Sequence, residues 1–302
     1  MAWDEPSNVE GRLIDARQAL TASRWAKVPI LYNHSLLAQL GMPLRNPKEA
    51  TTWSRNCGSM SLQIESGSIF SGGEFKRVGI PYGTRARLVM LALCSAAVKS
   101  NSPIVELPST FTRFVRELGI DTNGRNLREL REQIRRMSVV QMRLAFNHGT
   151  FIDQYTGPVF EKLSIDLPRG EDQEPMWPNT VEFSSSFYES LRHHAVPLRR
   201  EAIMALSHSA RAIDILSWLA SRLYKIKANR PVRLKWASVR YQFGNRHQDG
   251  KGFKRSFRKA LSQVLTVYPE AKVELIYGGL LLRQSPPPVP FAEYEKNREL
   301  LA

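Results

Sequence analysis

The stretch Asp249–Leu265, DGKGFKRSFRKALSQVL, carries two patterns at once. Phe253, Phe257, Ala260, Leu261 and Val264 recur at spacings of three and four, which predicts an amphipathic helix with one buried face. Lys251, Lys254, Arg255, Arg258 and Lys259 crowd the start of the same helix. Cations there oppose the helix dipole by a few tenths to about 1 kcal/mol each, so helix stability does not explain them. At about 100° per residue the apolar face centres between Phe257 and Val264. Opposite it lie Lys251, Arg255, Lys259, Ser262 and Thr266, with Arg258 on the shoulder and Lys254 on the flank. A cationic face turned outward at a helix start attracts phosphates, and Arg, Lys and Ser can also bond base edges.

Working outward, the elements around this helix occur twice. In the first half, Leu88–Val98 is apolar nearly all round and reads as a buried helix ended by Pro103. A short strand, IVEL, follows, then a helix capped by Ser109 with Phe111, Phe114, Val115 and Leu118 on one face and Gly119 at its end. After Asn123-Gly124 comes a helix bearing Leu127, Leu130, Ile134 and Met137, then an alternating strand through Val140, Met142, Leu144 and Phe146, turned back by NHGT. In the second half, Ile213, Leu216, Leu219, Ala220 and Leu223 predict the buried helix, and Asn229-x-Pro231 repeats Asn101-x-Pro103. A short helix through Val239, Tyr241 and Phe243 ends at Gly244. Phe257, Leu261 and Val264 then match Leu130, Ile134 and Met137 at a constant offset of 127. KVELIYGGLLLR closes the unit as a hairpin turning at Gly278-Gly279, a pair suited to a type I′ or II′ turn. Helix, strand, helix-turn-helix and hairpin describe a winged helix, so the expected fold is α+β with two tandem winged-helix domains.

The 302 residues are 42% hydrophobic and carry a formal net charge of +15, which favours a polyanionic partner, nucleic acid or an anionic membrane. The longest apolar run without charge, Leu88–Val98, is too short to span a bilayer. MAWDEPSNVE lacks the features of a signal peptide. Cys57 and Cys94 stand apart, which fits a reducing cytoplasm and neither a zinc site nor a disulfide framework. Between Lys225 and Lys259 twelve Lys or Arg face one acid, Asp249. Between Glu161 and Glu182 six acids face Lys162 and Arg169, with Pro168, Pro175 and Pro178 among them; this reads as a linker. The first-half helix is diluted by Glu129 and Glu132, and Arg128 with Glu132 forms a plausible i,i+4 pair.

Catalytic chemistry finds no support. GNRHQDGKG, residues 244–252, has five residues between its first two glycines and a Gly after Lys251, so it fails the Walker spacing. His193 and His194 are adjacent and point about 100° apart on a helix, so they do not share a metal readily. His34, His148, His208 and His247 are scattered. No catalytic residue, metal ligand or cofactor site is expected.

Gly79–Ile120 resembles the RepA-type plasmid replication initiators through Pro81, Tyr82, Gly83, Arg87, Leu88, Leu118 and Gly119, with LREQIRRM and its following strand also fitting. The resemblance spans roughly residues 70–285. It implies a bacterial, cytoplasmic, plasmid-associated protein that is not an enzyme. Its winged helices would bind repeated origin sequences (iterons) in double-stranded DNA and help recruit host replication proteins such as the host initiator and helicase. A homodimer through the first domain is a further implied state, and the strand Val139–Phe146 offers an edge for it. The rival readings are a winged-helix transcriptional regulator and an origin-nicking endonuclease. The expected organisation is 1–50 as an N-terminal helical extension, with Val9–Ala22 amphipathic, and 51–167 as the first winged helix. An acidic linker at 168–179, the second and main DNA-binding winged helix at 180–285 and a tail at 286–302 complete it. The helical wheel, rather than any family motif, nominates the DNA contacts: Lys251, Lys254, Arg255, Arg258, Lys259 and Ser262, with Arg240, Arg283, Arg125, Arg128 and Arg136.

Overall fold

A computed structural model describes residues 6–22, 29–147, 149–163, 177, 180–244 and 249–290. The chain forms two compact units, a central one of residues 42–192 and a terminal one joining residues 1–41 to 193–302. The terminal unit begins with α1 (Pro6–Ala22), β1 (Ile30–His34) and α2 (Ser35–Leu40). His34 Nδ1 accepts the Leu36 N–H at 3.1 Å and so caps α2.

The central unit opens with the hairpins β2 (Thr52–Cys57)/β3 (Met60–Glu65) and β4 (Ser68–Ser71)/β5 (Glu74–Arg77). It continues through α3 (Gly83–Ser100), β6 (Ile104–Glu106), α4 (Phe111–Glu117) and α5 (Gly124–Met137). After these come β7 (Gln141–Asn147), β8 (Ile152–Pro158), β9 (Phe160–Leu163), β10 (Thr180–Phe183) and α6 (Ser185–His194). The antiparallel sheet runs β2-β3-β7-β8. Its alternation puts Leu62, Ile64 and Met142 inside and Gln63, Glu65 and Arg143 on the other face. Asn101, in the left-handed region at φ 49°, ends α3 ahead of Pro103.

The start of α3 is built on one buried cation. The Arg87 guanidinium, 4% exposed, donates to the carbonyls of Met42 (2.6 Å), Pro43 (3.2 Å) and Gly83 (2.8 Å). Gly83 reaches this position at φ 76°, a conformation that a Cβ would strain, and its N–H returns a bond to Pro43 O. The Tyr82 N–H is taken by Gln133 of α5 at 2.8 Å. Pro81-Tyr82-Gly83 and Arg87, the residues of the resemblance, thus assemble one corner of the core.

In the terminal unit the chain continues as β11 (Ala195–Arg199), α7 (Arg200–Ala205), α8 (Ala210–Arg222), β12 (Val232–Lys235), α9 (Trp236–Phe243), α10 (Gly250–Val267), β13 (Val273–Ile276) and β14 (Gly279–Leu282). β12-β14-β13 is a three-stranded antiparallel sheet. α8 is the buried helix, and α2 and α10 pack on it. β1 pairs antiparallel with β11, and α1 packs on α7 and α10 through Leu13 and Leu20. Arg199 donates to Leu20 O at 2.8 Å, Asn33 to Ser217 Oγ at 3.1 Å and Gln242 to Gln39 O at 2.7 Å.

Several expectations are corrected. Residues 1–50, expected as a separate N-terminal helical extension, divide at residue 41: α1, β1 and α2 belong to the terminal unit, and the chain from Met42 to the central one. The boundary expected at residue 180 moves to 193, because β10 lies between β6 and β9 in the central unit. This insertion also breaks the symmetry of the repeat, since the equivalent β12 pairs directly with β14. The proposed linker, 168–179, lies outside the described residues except for Trp177, whose indole donates to Pro108 O at 2.8 Å and packs against Phe111 and Phe114. Most of the tail, from residue 291, and His148, Arg246 and His247 also lie outside them. The strand expected to offer an edge, β7, has β3 and β8 on either side. Thr110, not Ser109, caps α4. The last hairpin turns at Tyr277-Gly278, one residue early. Positive φ falls on Gly278 alone, so the turn is neither type I′ nor II′.

Two outcomes follow from this architecture. A fragment 180–302 keeps an orphaned β10 and lacks α1, β1 and α2, so its thermal midpoint should lie well below that of a chain fusing 1–41 to 193–302. Circular dichroism melts compare the two. Burial, then the nearby His194, depress the His34 pKa to about 3. The folded state holds the imidazole neutral, whereas the unfolded chain protonates it near pH 6.5. This stability is complete above that pH and is lost as pH falls toward 3, by up to about 1.4 kcal/mol per unit. Urea unfolding at pH 7.5 and 5.0 should show a larger loss for the native chain than for His34→Asn, whose amide oxygen retains an acceptor.

Candidate nucleic-acid interface

α10 is capped by Asp249, whose Oδ1 accepts the Gly252 N–H at 2.5 Å. Its carboxylate offsets part of the cost of the cations in the first turns. Phe253, Phe257, Ala260, Leu261, Val264 and Val267 are buried. Phe257 meets Phe253, Phe243 and Trp236 at ring-centroid distances of 5.6, 5.5 and 5.9 Å, and Phe243 meets Trp218 of α8 at 5.2 Å. These rings determine the rotation of α10 about its axis.

With that rotation, Lys251, Lys254, Arg255, Arg258, Lys259 and Ser262 are all exposed, as the wheel required. Among the described residues none of the five cations is held by a carboxylate. Lys254 and Arg258 lie over the Trp236 ring, at 5.9 and 5.5 Å. This cation–π contact aims them along one flank of the helix. Lys251, Arg255 and Lys259 have no such contact and project from the crest. Arg240 is exposed on α9, its Nη1 3.8 Å from the position a Cβ would take on Gly250. Arg283, directly after β14, is exposed and pairs across the hairpin with Glu274 at 2.8 Å. Two exposed cations lie outside the expected set, Arg233 and Lys235, the outward members of the alternating β12 sequence VRLK. That alternation was the available signal.

α5 differs. Arg125 pairs with Glu129 at 2.9 Å, and Arg85 of α3 takes the other oxygen of Glu129 at 2.8 Å. Glu132 pairs not with Arg128 but with Arg136 at 2.8 Å and Arg135 at 3.7 Å. Arg128 stays exposed. Arg136 was expected to face DNA and faces the core. Its side chain is 12% exposed, donates to Ile80 O at 3.1 Å and lies over Tyr82 at 5.0 Å. Gly79 makes room for it, since a Cβ there would come within 2.8 Å of the guanidinium. Arg136 couples α5 to the α3 corner and does not face outward with Arg128.

His193 and His194 are exposed at the end of α6. Among the described residues no cluster of His, Cys, Asp or Glu could hold a metal ion, and no helix is long and apolar enough to cross a membrane. Arg136→Ala should cost about 2 kcal/mol in denaturant unfolding, by stranding Ile80 O and removing the closer ion pair of Glu132, whereas Arg128→Ala should stay within about 0.5 kcal/mol of the native chain.

Comparison with known proteins gives two kinds of likeness. The fold is similar to two solved structures of RctB. One, of selenomethionine derivatives of its domains 2 and 3, has a TM-score of 0.52 at 12% identity and covers 83% of this chain and 98% of that one. The other, of RctB domains 2–3 (residues 155–483 of that protein), has a TM-score of 0.50 at 13% identity and covers 82% and 94%. At these identities the likeness is one of fold. No curated protein matches. The model of the family described as plasmid-encoded RepA protein matches residues 80–238, from the Arg87 corner through α8 and into α9, and with more than half of the chain accounted for, the protein belongs to that family.

Proposed function

We propose that this chain is a plasmid replication initiator in which both units act as winged helices on double-stranded origin DNA, with α10 as the principal reading helix. The observation that carries this reading is the exposed cationic face of α10, which no carboxylate among the described residues neutralises. Membership of the RepA family supports it, as does the order of elements shared by the two units. The helix α8, strand β12, helices α9 and α10 and hairpin β13/β14 follow one another as a winged helix requires. In this reading repeated origin sites are bound by the terminal unit first. The central unit, its arginines largely paired with Glu129 and Glu132, contributes weaker contacts and a surface for host replication proteins. The chain acts by binding, without a chemical step of its own.

Footprinting on the DNA flanking its gene tests this directly, and repeated protected sites are the expected result. Supply of the protein in trans should support replication of a plasmid carrying those sites, and incubation with supercoiled DNA and Mg²⁺ should leave it unrelaxed. Within α10, Arg255 is on the crest and Lys254 on the Trp236 flank. Arg255→Ala should therefore cost roughly 1–3 kcal/mol on the protected duplex and little on a scrambled one. Lys254→Ala should weaken both alike and shallow the salt dependence by about one unit. Equal losses on both duplexes for Arg255→Ala would make it a phosphate contact and move the reading face elsewhere.

A further inference from the structure

The two hairpins that close the repeat both present apolar side chains at their tips. Phe151 and Ile152 are 58% and 62% exposed at the β7/β8 turn. In the second hairpin Tyr277 is fully exposed at 105%, and Leu275, two residues before it, is 52% exposed. A lone exposed aromatic is ordinary. Tyr277 differs because its turn is anchored, and anchored to the residue whose ring meets the cations of α10. The Trp236 N–H donates to Gly278 O at 2.9 Å, which ties the turn to the first residue of α9. The ring of that same Trp236 lies beneath Lys254 and Arg258. Gly279 lets β14 press on β12, since any Cβ there would fall on the Leu234 carbonyl, and Lys235 lies opposite it in register. The phenol ring is thus held out on a short, doubly anchored turn: exposed Lys235 pairs opposite Gly279, and Trp236, which holds the turn through its N–H, carries exposed Lys254 and Arg258 over its ring.

We propose that Tyr277 is a wedge that stacks against bases and opens a base step of the duplex held by α10. This rests on the reading of α10 as a duplex-binding helix. Cations flanking an apolar tip suit this task, because they hold the backbones on either side of the step that the ring enters. Tyr277 packs on nothing that folding requires, so replacing it leaves the terminal unit intact.

Permanganate, which attacks unstacked thymines, reads the effect on full-length protein bound to its footprinted site in supercoiled DNA. The native chain should raise thymine reactivity within the site by about fivefold or more, and Tyr277→Ala should return it to near that of free DNA. Affinity of Tyr277→Ala for the short linear duplex should change by less than about threefold, because α10 and its cations are untouched. Tyr277→Phe should keep the reactivity, since it keeps the stacking ring. Three results overturn the proposal while leaving α10 as the reading helix: binding without enhanced thymines, full reactivity in Tyr277→Ala, or loss of reactivity in Tyr277→Phe. Failure of the native chain to protect any duplex removes both the wedge and the reading on which it rests.

Discussion

The rotation of α10 about its own axis is the constraint on which its exposed cationic face depends. Phe253 and Phe257 are fully buried, and the latter is gripped by Phe243 and Trp236. Each such aromatic pair contributes about 0.5–1.5 kcal/mol beyond the area it buries. Turning the helix by one residue would expose Phe257 and bring Arg258 toward the core, and an unpaired buried cation costs several kcal/mol. The aromatic core and the cationic crest are therefore two consequences of one packing arrangement. Trp236 connects them, with one face of its surroundings formed by Phe257 and its ring also meeting Lys254 and Arg258.

The central unit handles arginine in the opposite way. Arg87 spends its donors on three backbone carbonyls, and Arg136 reaches Glu132, Ile80 O and the Tyr82 ring. Arg131 lies over Phe111, and Arg125 and Arg85 share Glu129. A planar guanidinium spreads its fixed donors over separate nitrogens and so reaches carbonyls on different segments, where a lysine would offer its three donors from a single atom. The same residue type that is presented to solvent on α10 is consumed by structure on α3 and α5. Net charge alone therefore overstates how much of this chain is available to a polyanion.

The repeat has also diverged in its sheets. In the terminal unit β12 pairs with β14, so the hairpin and the strand before the helix pair form one sheet. In the central unit β10 lies between β6 and β9, and β2 and β3 extend the other sheet on the free side of β7. Both additions cover strand edges that would otherwise be open to pairing with another chain. The central hairpin is thereby built into a larger scaffold, while the terminal one belongs to a sheet of three short strands with Tyr277 exposed at its turn.

Helices α3, α5, α8 and α10, their order, the near-constant offset between halves and the outward face of α10 were legible in the amino-acid sequence, because each depends on local periodicity and on the rule that apolar faces are buried. Pro81-Tyr82-Gly83 and Arg87 were legible as a pattern without their role, since the carbonyls they serve belong to Met42 and Pro43, some forty residues away along the chain. Only the tertiary structure decided that residues 1–41 complete the terminal unit, that β10 belongs to the central one and that Arg136 turns inward. Each of these depends on a partner remote in sequence: β11 for β1, β6 for β10, and the space that Gly79 leaves for Arg136. A helical wheel places a side chain at an angle, but the neighbour waiting at that angle is set by how distant segments pack.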